Sequence, residues 1–428
     1  MARLIPGRYP RPVADWRVSP TMGSRLPNVE GARALAAGSI VVYHVWLYGT
    51  ETGPVALGPV GRLMPHLPLG VTLFFTLSGF LLYRPFAAAL LRARPRPNLA
   101  AYLRNRALRI LPAYWVILLI TGVVMRATLV SFDLQRGSLA ARPGLLLRDA
   151  LLVQNYDPGT ILTGIGPAWS LAIEVVFYLA LPILALVAFA LAGRAKSESR
   201  RGRLALLPPV VMLIVGVSGK LVASTIVPGL GPGLGWVNDW HSVLERSFWV
   251  QGDLFAYGML LAVLTVHVED GRIRLPRGWW PITAVGFLAL AGLTAVAFDK
   301  GSINQYVYDS LMAAACGLFL SLVVLGGFAG GQRPAPVRWL EARPIVWVGV
   351  VSYSLFLWHE PIIWWLRDRG LLASGGGAAG FLLNLVIVGS VSLALSALTY
   401  RLVELPALRR KARTPTRDER VAVVAAAP

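Results

Sequence analysis

Ten stretches of this chain are long and apolar enough to cross a bilayer, and that constrains its fold more than any other feature. They lie at about 31–50, 68–90, 110–130, 168–193, 205–224, 248–266, 279–297, 305–327, 345–366 and 380–400. Hydrocarbon offers no partner for backbone N–H and C=O groups, so only helices or closed barrels can span it. A spanning strand needs about 10 residues and a spanning helix about 20. These stretches have the helical length, which predicts an all-α, polytopic membrane helix bundle of about ten transmembrane helices. Composition agrees: 56% of residues are hydrophobic and 14% charged, against roughly 25% charged in soluble domains.

The net charge of +20 suits topology better than nucleic acid, because basic residues gather in cytoplasmic loops. With the N-terminus inside, alternate connecting segments carry 29 Lys and Arg, the opposite set carries 9, and Arg33, Arg84 and Lys220 fall within spans. This asymmetry predicts that both termini are cytoplasmic; a multi-pass location in the plasma (inner) membrane is the accompanying expectation. Residues 1–30 read as a cytoplasmic leader and 31–406 as the membrane domain. Residues 407–428 read as a basic, disordered tail. The outer segment at about 131–167 is long enough to form a lid.

Ionisable residues inside spans are costly and mark functional positions. Arg33 and His44 share the first span, eleven residues apart, which on a helix leaves them about 20° apart and about 16 Å along the axis. By depth, His44, Glu174, His359 and Glu360 fall toward the outer side, with Asp253 and Asp309 near outer ends. Arg33, Arg84, Arg106, Arg109 and Glu404 fall toward the cytoplasmic side. Such tiers suit an anionic donor entering from the cytoplasm and a hydroxyl-bearing acceptor entering from outside. Asp253 and Asp309 lie close enough to the interface to be solvated, and a histidine near a helix end can serve only as a bridge between helices.

Several chemistries find no support. The five histidines lack HxxxH or HExxH spacing and Cys316 is the single cysteine, so no metal site is expected. No GxxxxGK[ST] loop appears, and Ser78 in Leu77-Ser78-Gly79-Phe80 is no GxSxG elbow. A transporter or flippase for lipid-linked saccharides is the rival class. It would show internal repeats, and none is evident.

Taken together, the motifs resemble the acyltransferase 3 family of integral-membrane O-acyltransferases, over about residues 28–406. Arg33 and His44 match its basic residue, ten-spacer, histidine signature, and Gly70–Leu81 matches its second-span signature. Arg106-Ala-Leu-Arg109 is similar to its Arg-x-x-Arg element, and Trp169-Ser-Leu-Ala-Ile-Glu174-Val-Val-Phe-Tyr178 to its Trp-Ser-Leu…Glu…Phe-Tyr segment. Ser352-Tyr353-Ser-Leu-Phe-Leu-Trp358-His359 and Val403-Glu404-Leu405-Pro406 resemble its C-terminal hallmarks. Thr72 stands where the family usually has an acid, and Val175-Val176 replaces a polar pair.

The resemblance implies acyl-CoA as donor and no permanently bound cofactor. It also implies transfer to a hydroxyl on a cell-envelope glycan, glycolipid or macrolide-like acceptor. His44 and Glu174 are the expected catalytic residues, His44 as general base with Glu174 or a backbone carbonyl orienting it. A covalent acyl-histidine is the alternative route. Arg33, Arg106 and Arg109 are expected to hold donor phosphates, and Ser78 to bind the oxyanion. Arg84, Tyr353 and His359 complete the expected substrate contacts.

Overall fold

The computed structural model describes residues 29–50, 53–131, 135–193, 197–226, 238–326, 334–375 and 377–410. Residues 1–28 and 411–428, which hold nearly all of the expected leader and tail, lie outside the described residues. The long helices are α1 (Val29–Tyr48), α2 (Leu69–Leu91), α3 (Leu99–Leu119), then after a short α4 (Pro143–Ala150) α5 (Trp169–Ala192) and α6 (Glu198–Ile226). A short α7 (Trp240–Glu245) leads into α8 (Phe248–Glu269), followed by α9 (Trp279–Asp299), α10 (Gln305–Leu325), α11 (Arg343–Arg367) and α12 (Gly377–Thr399). Local chemistry marks several starts. Asn98, Ser247 and Asn304 cap α3, α8 and α10 by accepting from the amides of Ala101, Val250 and Val307, as short polar side chains do at orphan helix N–H groups.

Nine helical segments among the described residues are long and apolar enough to span a membrane. The tenth expected span, α1, is not among them, because Glu30, Arg33, Ser39 and His44 dilute its apolar surface. At twenty residues it is still about 30 Å long, the thickness of the hydrocarbon. It also runs through the bundle beside α11. Glu30 meets Gly349, Arg33 meets Ser352, His44 meets His359 and Tyr48 meets Trp364. Contacts that climb both helices together mean that α1 and α11 are parallel.

The same test gives the other directions. α2 runs parallel to α8, with Thr76 on Leu254 and Arg84 on Glu269. α6 is antiparallel to α8, α9 to α10 and α11 to α12, from the pairs Gly216–Asp253 and Gly219–Trp249, Phe287–Phe319 and Phe298–Tyr308, and Trp358–Thr399 and Ala373–Asn384. This is the alternation of a ten-span chain in which α1 counts as a span. The start of α1 and the end of α12 therefore share one end of the bundle, called here the proximal end. The core seam is α2 against α8, where Gly79 rests on the backbone of Phe255 and Gly258 on that of Thr76. A Cβ at either position would force the helices apart. The outside of the bundle is apolar: Ile282, Val285, Leu288 and Leu293 of α9 are 66–72% exposed. Water would penalise that face, and lipid does not.

The outer segment is the main departure from pure helix. A two-residue-per-strand hairpin, β1 (Thr128–Leu129) and β2 (Arg136–Gly137), pairs antiparallel, and α4 follows. This segment is tied down over the distal end. The Tyr114 hydroxyl donates to the Asp149 carbonyl at 2.6 Å, Arg142 donates to the Val130 carbonyl at 2.7 Å, and Asn155 donates to the carbonyls of Trp169 and Arg246.

Asp149 is fully buried beneath this segment. The Thr163 hydroxyl donates to its Oδ1 at 2.9 Å, while Oδ2 has no partner among the described residues. Burial pushes its carboxyl from 3.8 up to about 7, against the smaller opposing effect of Thr163. Between those values the folded loop keeps a proton that the unfolded chain releases, so stability falls as pH rises through that window. The Asp149→Asn protein is expected to unfold at nearly the wild-type temperature at pH 5 and several degrees higher at pH 8. A difference that stays constant with pH would contradict this.

Candidate active site

α1 carries Arg33 and His44 toward α11, as the eleven-residue spacing predicts. At the distal level the His44 Nδ1 lies 2.7 Å from His359 Nε2, with the two rings within 9° of parallel. The His359 Nδ1 lies 3.2 Å from the carbonyl oxygen of Leu355, one turn earlier on α11. A carbonyl can only accept, so His359 Nδ1 carries the hydrogen and Nε2 carries a lone pair. His44 must then donate from Nδ1, which leaves its Nε2 unprotonated. The His44 side chain is 16% exposed, whereas His359 is fully buried. Two histidines 315 residues apart thus set one tautomer, with the basic nitrogen on the accessible ring.

The neighbours of this pair are aromatic and acidic. Tyr48 stacks on His44 at 5.6 Å between centroids. Glu360, 5% exposed, places Oε2 at 3.9 Å from His44 Nδ1 and accepts the Trp364 indole N–H on Oε1 at 3.1 Å.

Toward the proximal end the arginines come together. Arg33 Nε donates to the Ser352 hydroxyl at 3.3 Å and lies 3.6 Å from Glu30. Arg109 donates to Glu404 Oε2 at 2.9 Å and sits 5.6 Å from the centre of the Tyr353 ring. The other Glu404 oxygen accepts from Ser354 at 2.5 Å, and the Tyr353 hydroxyl donates to the Ile110 carbonyl at 2.8 Å. The Ser-Tyr-Ser run of α11 therefore links the arginines of α1 and α3. Arg33 lies within electrostatic reach of Arg109, Glu174 and Glu404.

Glu174, near the start of α5, lies within electrostatic reach of this arginine tier. It accepts from the Ser78 hydroxyl and, at 2.9 Å, from the Tyr178 hydroxyl, and it interacts with Tyr102 and Arg33. The expected pairing of Glu174 with His44 is not among the site's contacts, and the acid beside His44 is Glu360. Depth counting sets a residue's height along a helix but not the side of the bundle it faces, so it does not separate Glu174 from Glu360. The Ser78 hydroxyl, expected at the oxyanion, is spent on Glu174. Arg84 pairs with Glu269 in a network with Arg92 and Asp270, apart from the residues around Arg33. Arg106 Nε and the Tyr102 hydroxyl are buried with no hydrogen-bond partner among the described residues. Buried donors of that kind are rare in finished cores. Sequence reading gives Ser352, Ser354 and Tyr178 no site role and takes Trp364 as part of an interfacial aromatic belt; for Trp364 the available signal is its i+4 spacing from Glu360.

A second buried network holds α6, α8 and α10. Lys220 Nζ donates to both oxygens of Asp253 at 2.8 and 2.7 Å and to Ser310 at 2.7 Å, and Ser310 donates to Asp253 at 2.6 Å. Asp253 is fully buried, so solvation at the interface is not its role.

Comparison with known proteins places the sequence in a family. A family model described as an acyltransferase domain, that of the acyltransferase 3 family, matches residues 26–401. The chain is 25% identical over 346 residues to the acyltransferase MdmB of Streptomyces mycarofaciens, covering 79% of each. It is 25% identical over 397 residues to the putative peptidoglycan O-acetyltransferase YrhL of Bacillus subtilis. It is 24% identical over 360 residues to the O-acetyltransferase OatA of Staphylococcus aureus. The alignments take in 89% and 79% of this chain but only 54% and 50% of those two relatives, so the chain spans about half their length. No solved structure matches the chain. A multi-pass helical bundle with this family match over most of its length has one assignment: the chain belongs to the acyltransferase 3 family and is an acyl-transferring membrane enzyme.

Proposed function

We propose that the protein moves a short acyl group, acetyl in the simplest case, from cytoplasmic acyl-CoA to a hydroxyl of an extracytoplasmic acceptor, with His44 as general base. The observation that carries this reading is the Leu355–His359–His44 relay, which leaves Nε2 of the partly exposed His44 ring with its lone pair free. In the reaction, His44 Nε2 takes the proton of the acceptor hydroxyl as its oxygen attacks the thioester carbonyl. The tetrahedral oxyanion collapses, the C–S bond breaks, and the imidazolium returns the proton to the departing thiolate. General-base assistance of this kind contributes about 10²–10⁴-fold.

The proximal arginines support the donor side. Arg33, Arg106 and Arg109 offer charge-assisted hydrogen bonds of the sort that phosphates accept, and the buried Arg106 Nε and Tyr102 hydroxyl add donors beside them. The Lys and Arg asymmetry of the connecting segments supports a cytoplasmic proximal end, and the proposed location is the plasma membrane. The names of OatA and YrhL, an O-acetyltransferase and a putative peptidoglycan O-acetyltransferase, favour acetyl transfer to an envelope glycan over a glycolipid or macrolide-like acceptor. No observation favours the flippase alternative.

The test is reconstitution in liposomes with labelled acetyl-CoA outside and envelope glycan trapped inside. Label on the trapped glycan supports the reading, and an unconsumed donor contradicts it. In the same assay Arg33→Ala is expected to raise KM for acetyl-CoA by about tenfold or more, the loss of one charge-assisted hydrogen bond, with a smaller effect on kcat. An unchanged KM would remove Arg33 from donor binding.

A further inference from the structure

The acid beside His44 is held from outside the membrane domain's core. Arg136, on β2 of the outer hairpin, donates from Nε to Asp368 Oδ2 at 2.8 Å and from Nη2 to Oδ1 at 2.6 Å. This two-point pairing fastens the hairpin to the distal end of α11. The Arg136 guanidinium also lies over the Trp364 ring at 4.9 Å, that of Arg367 lies 4.8 Å from the same ring, and Tyr48 packs on it at 4.6 Å. With its ring gripped by these three groups, Trp364 directs its N–H at Glu360 Oε1. Gly166, just before α5, closes the remaining side, since a Cβ there would collide with the Glu360 carboxylate. The carboxylate has little freedom, and the position it is given faces His44.

We propose that Glu360 is the positioning residue that stabilises the His44 imidazolium, with Trp364 and the Arg136–Asp368 pair holding it in place. The proposal rests on the reading of His44 as the base. Other groups face His44 as well: His359 and Glu360 from α11, Tyr43 and Tyr48 from α1 itself. Arg246, between α7 and α8, reaches Tyr48 electrostatically. His359 cannot offer a charge to the imidazolium without giving up its bond to Leu355, and the tyrosines are neutral. Among the described residues Glu360 is the carboxyl group within 4 Å of His44 Nδ1, and in its ionised form it would balance the imidazolium.

The experiment is carbethoxylation of the full chain in lipid nanodiscs by diethyl pyrocarbonate, which modifies neutral imidazole. The rate at His44 is followed by peptide mass spectrometry from pH 5 to 9, without acyl donor. Histidines 66, 241, 267 and 359 fall in separately identified positions. An opposite charge within about 4–6 Å moves a titration by about one to three pH units. The isosteric Glu360→Gln is therefore expected to lower the His44 midpoint by about one unit or more, and Glu360→Asp to leave it between the two. If both variants titrate like the wild type, the proposal is overturned. Because no turnover is read, this result stands apart from the liposome assay, where loss of the general-base reading would show instead.

Discussion

Replacing His44 by alanine is expected to lower acyl transfer by about 10³-fold or more while leaving thermal unfolding within about two degrees of wild type. The chemistry depends on one nitrogen. Nε2 is the only atom of the relay that is both unprotonated and reachable, and removing it removes the acceptor of the hydroxyl proton. The fold depends on it little, since the ring's hydrogen bond goes to His359 alone and α1 keeps its contacts with α11 above and below. The companion variant His359→Phe fills the space but offers no lone pair, so His44 loses the group that sets its tautomer. About 10²-fold loss is expected there, with KM for the donor little changed. Transfer by His44→Ala within tenfold of wild type would exclude the proton relay. Equal activity in His359→Phe would show that the tautomer is set elsewhere.

The largest expected effect on stability lies far from this relay. Lys220→Ala would leave Asp253, fully buried in α8, without the cation that satisfies both its oxygens. Breaking a buried pair by removing one partner costs about 3–5 kcal/mol, and hydrocarbon on the outer side of α6 gives water no easy route to relieve it. Unfolding in mixed micelles should shift by that amount. The double variant Lys220→Met, Asp253→Leu, which removes the charges together, should recover most of the loss. A single variant within about 1 kcal/mol of wild type would show that the network is not needed to join α6, α8 and α10.

These two sites also show what the sequence made legible. Helix length and apolar run mark the spans well, because burial of backbone groups in lipid leaves few alternatives. The shared face of Arg33 and His44 follows from helical geometry within one element, and both do turn toward α11. What sequence could not supply was the pairing between elements. Lys220 and Asp253 are 33 residues apart and Asp253 reads as interfacial by position. Only the antiparallel packing of α6 on α8 brings them together. Glu174 and Glu360 stand at comparable depths by counting, and the choice between them rests on which side of the bundle α5 and α11 present. Glu360 follows His359 directly, and adjacent helix positions face about 100° apart, so spacing alone does not direct both at one partner. His44 Nδ1 is close enough to α11 for both to reach it.

The parallel pairing of α1 with α11 has a consequence for biogenesis. About three hundred residues separate Arg33 and His44 from the serine and histidine that receive them. During synthesis the first helix emerges with a cation and an imidazole whose partners on α11 are not yet made, in the segment that is least apolar of the expected spans. It must be retained near the insertion machinery, or rest shallowly in the membrane, until the ninth span is made. A nascent chain halted before Arg343 would hold the base without the helix that sets its proton. In the proposed mechanism, then, the base gains its proton-setting partner only when the penultimate span is translated.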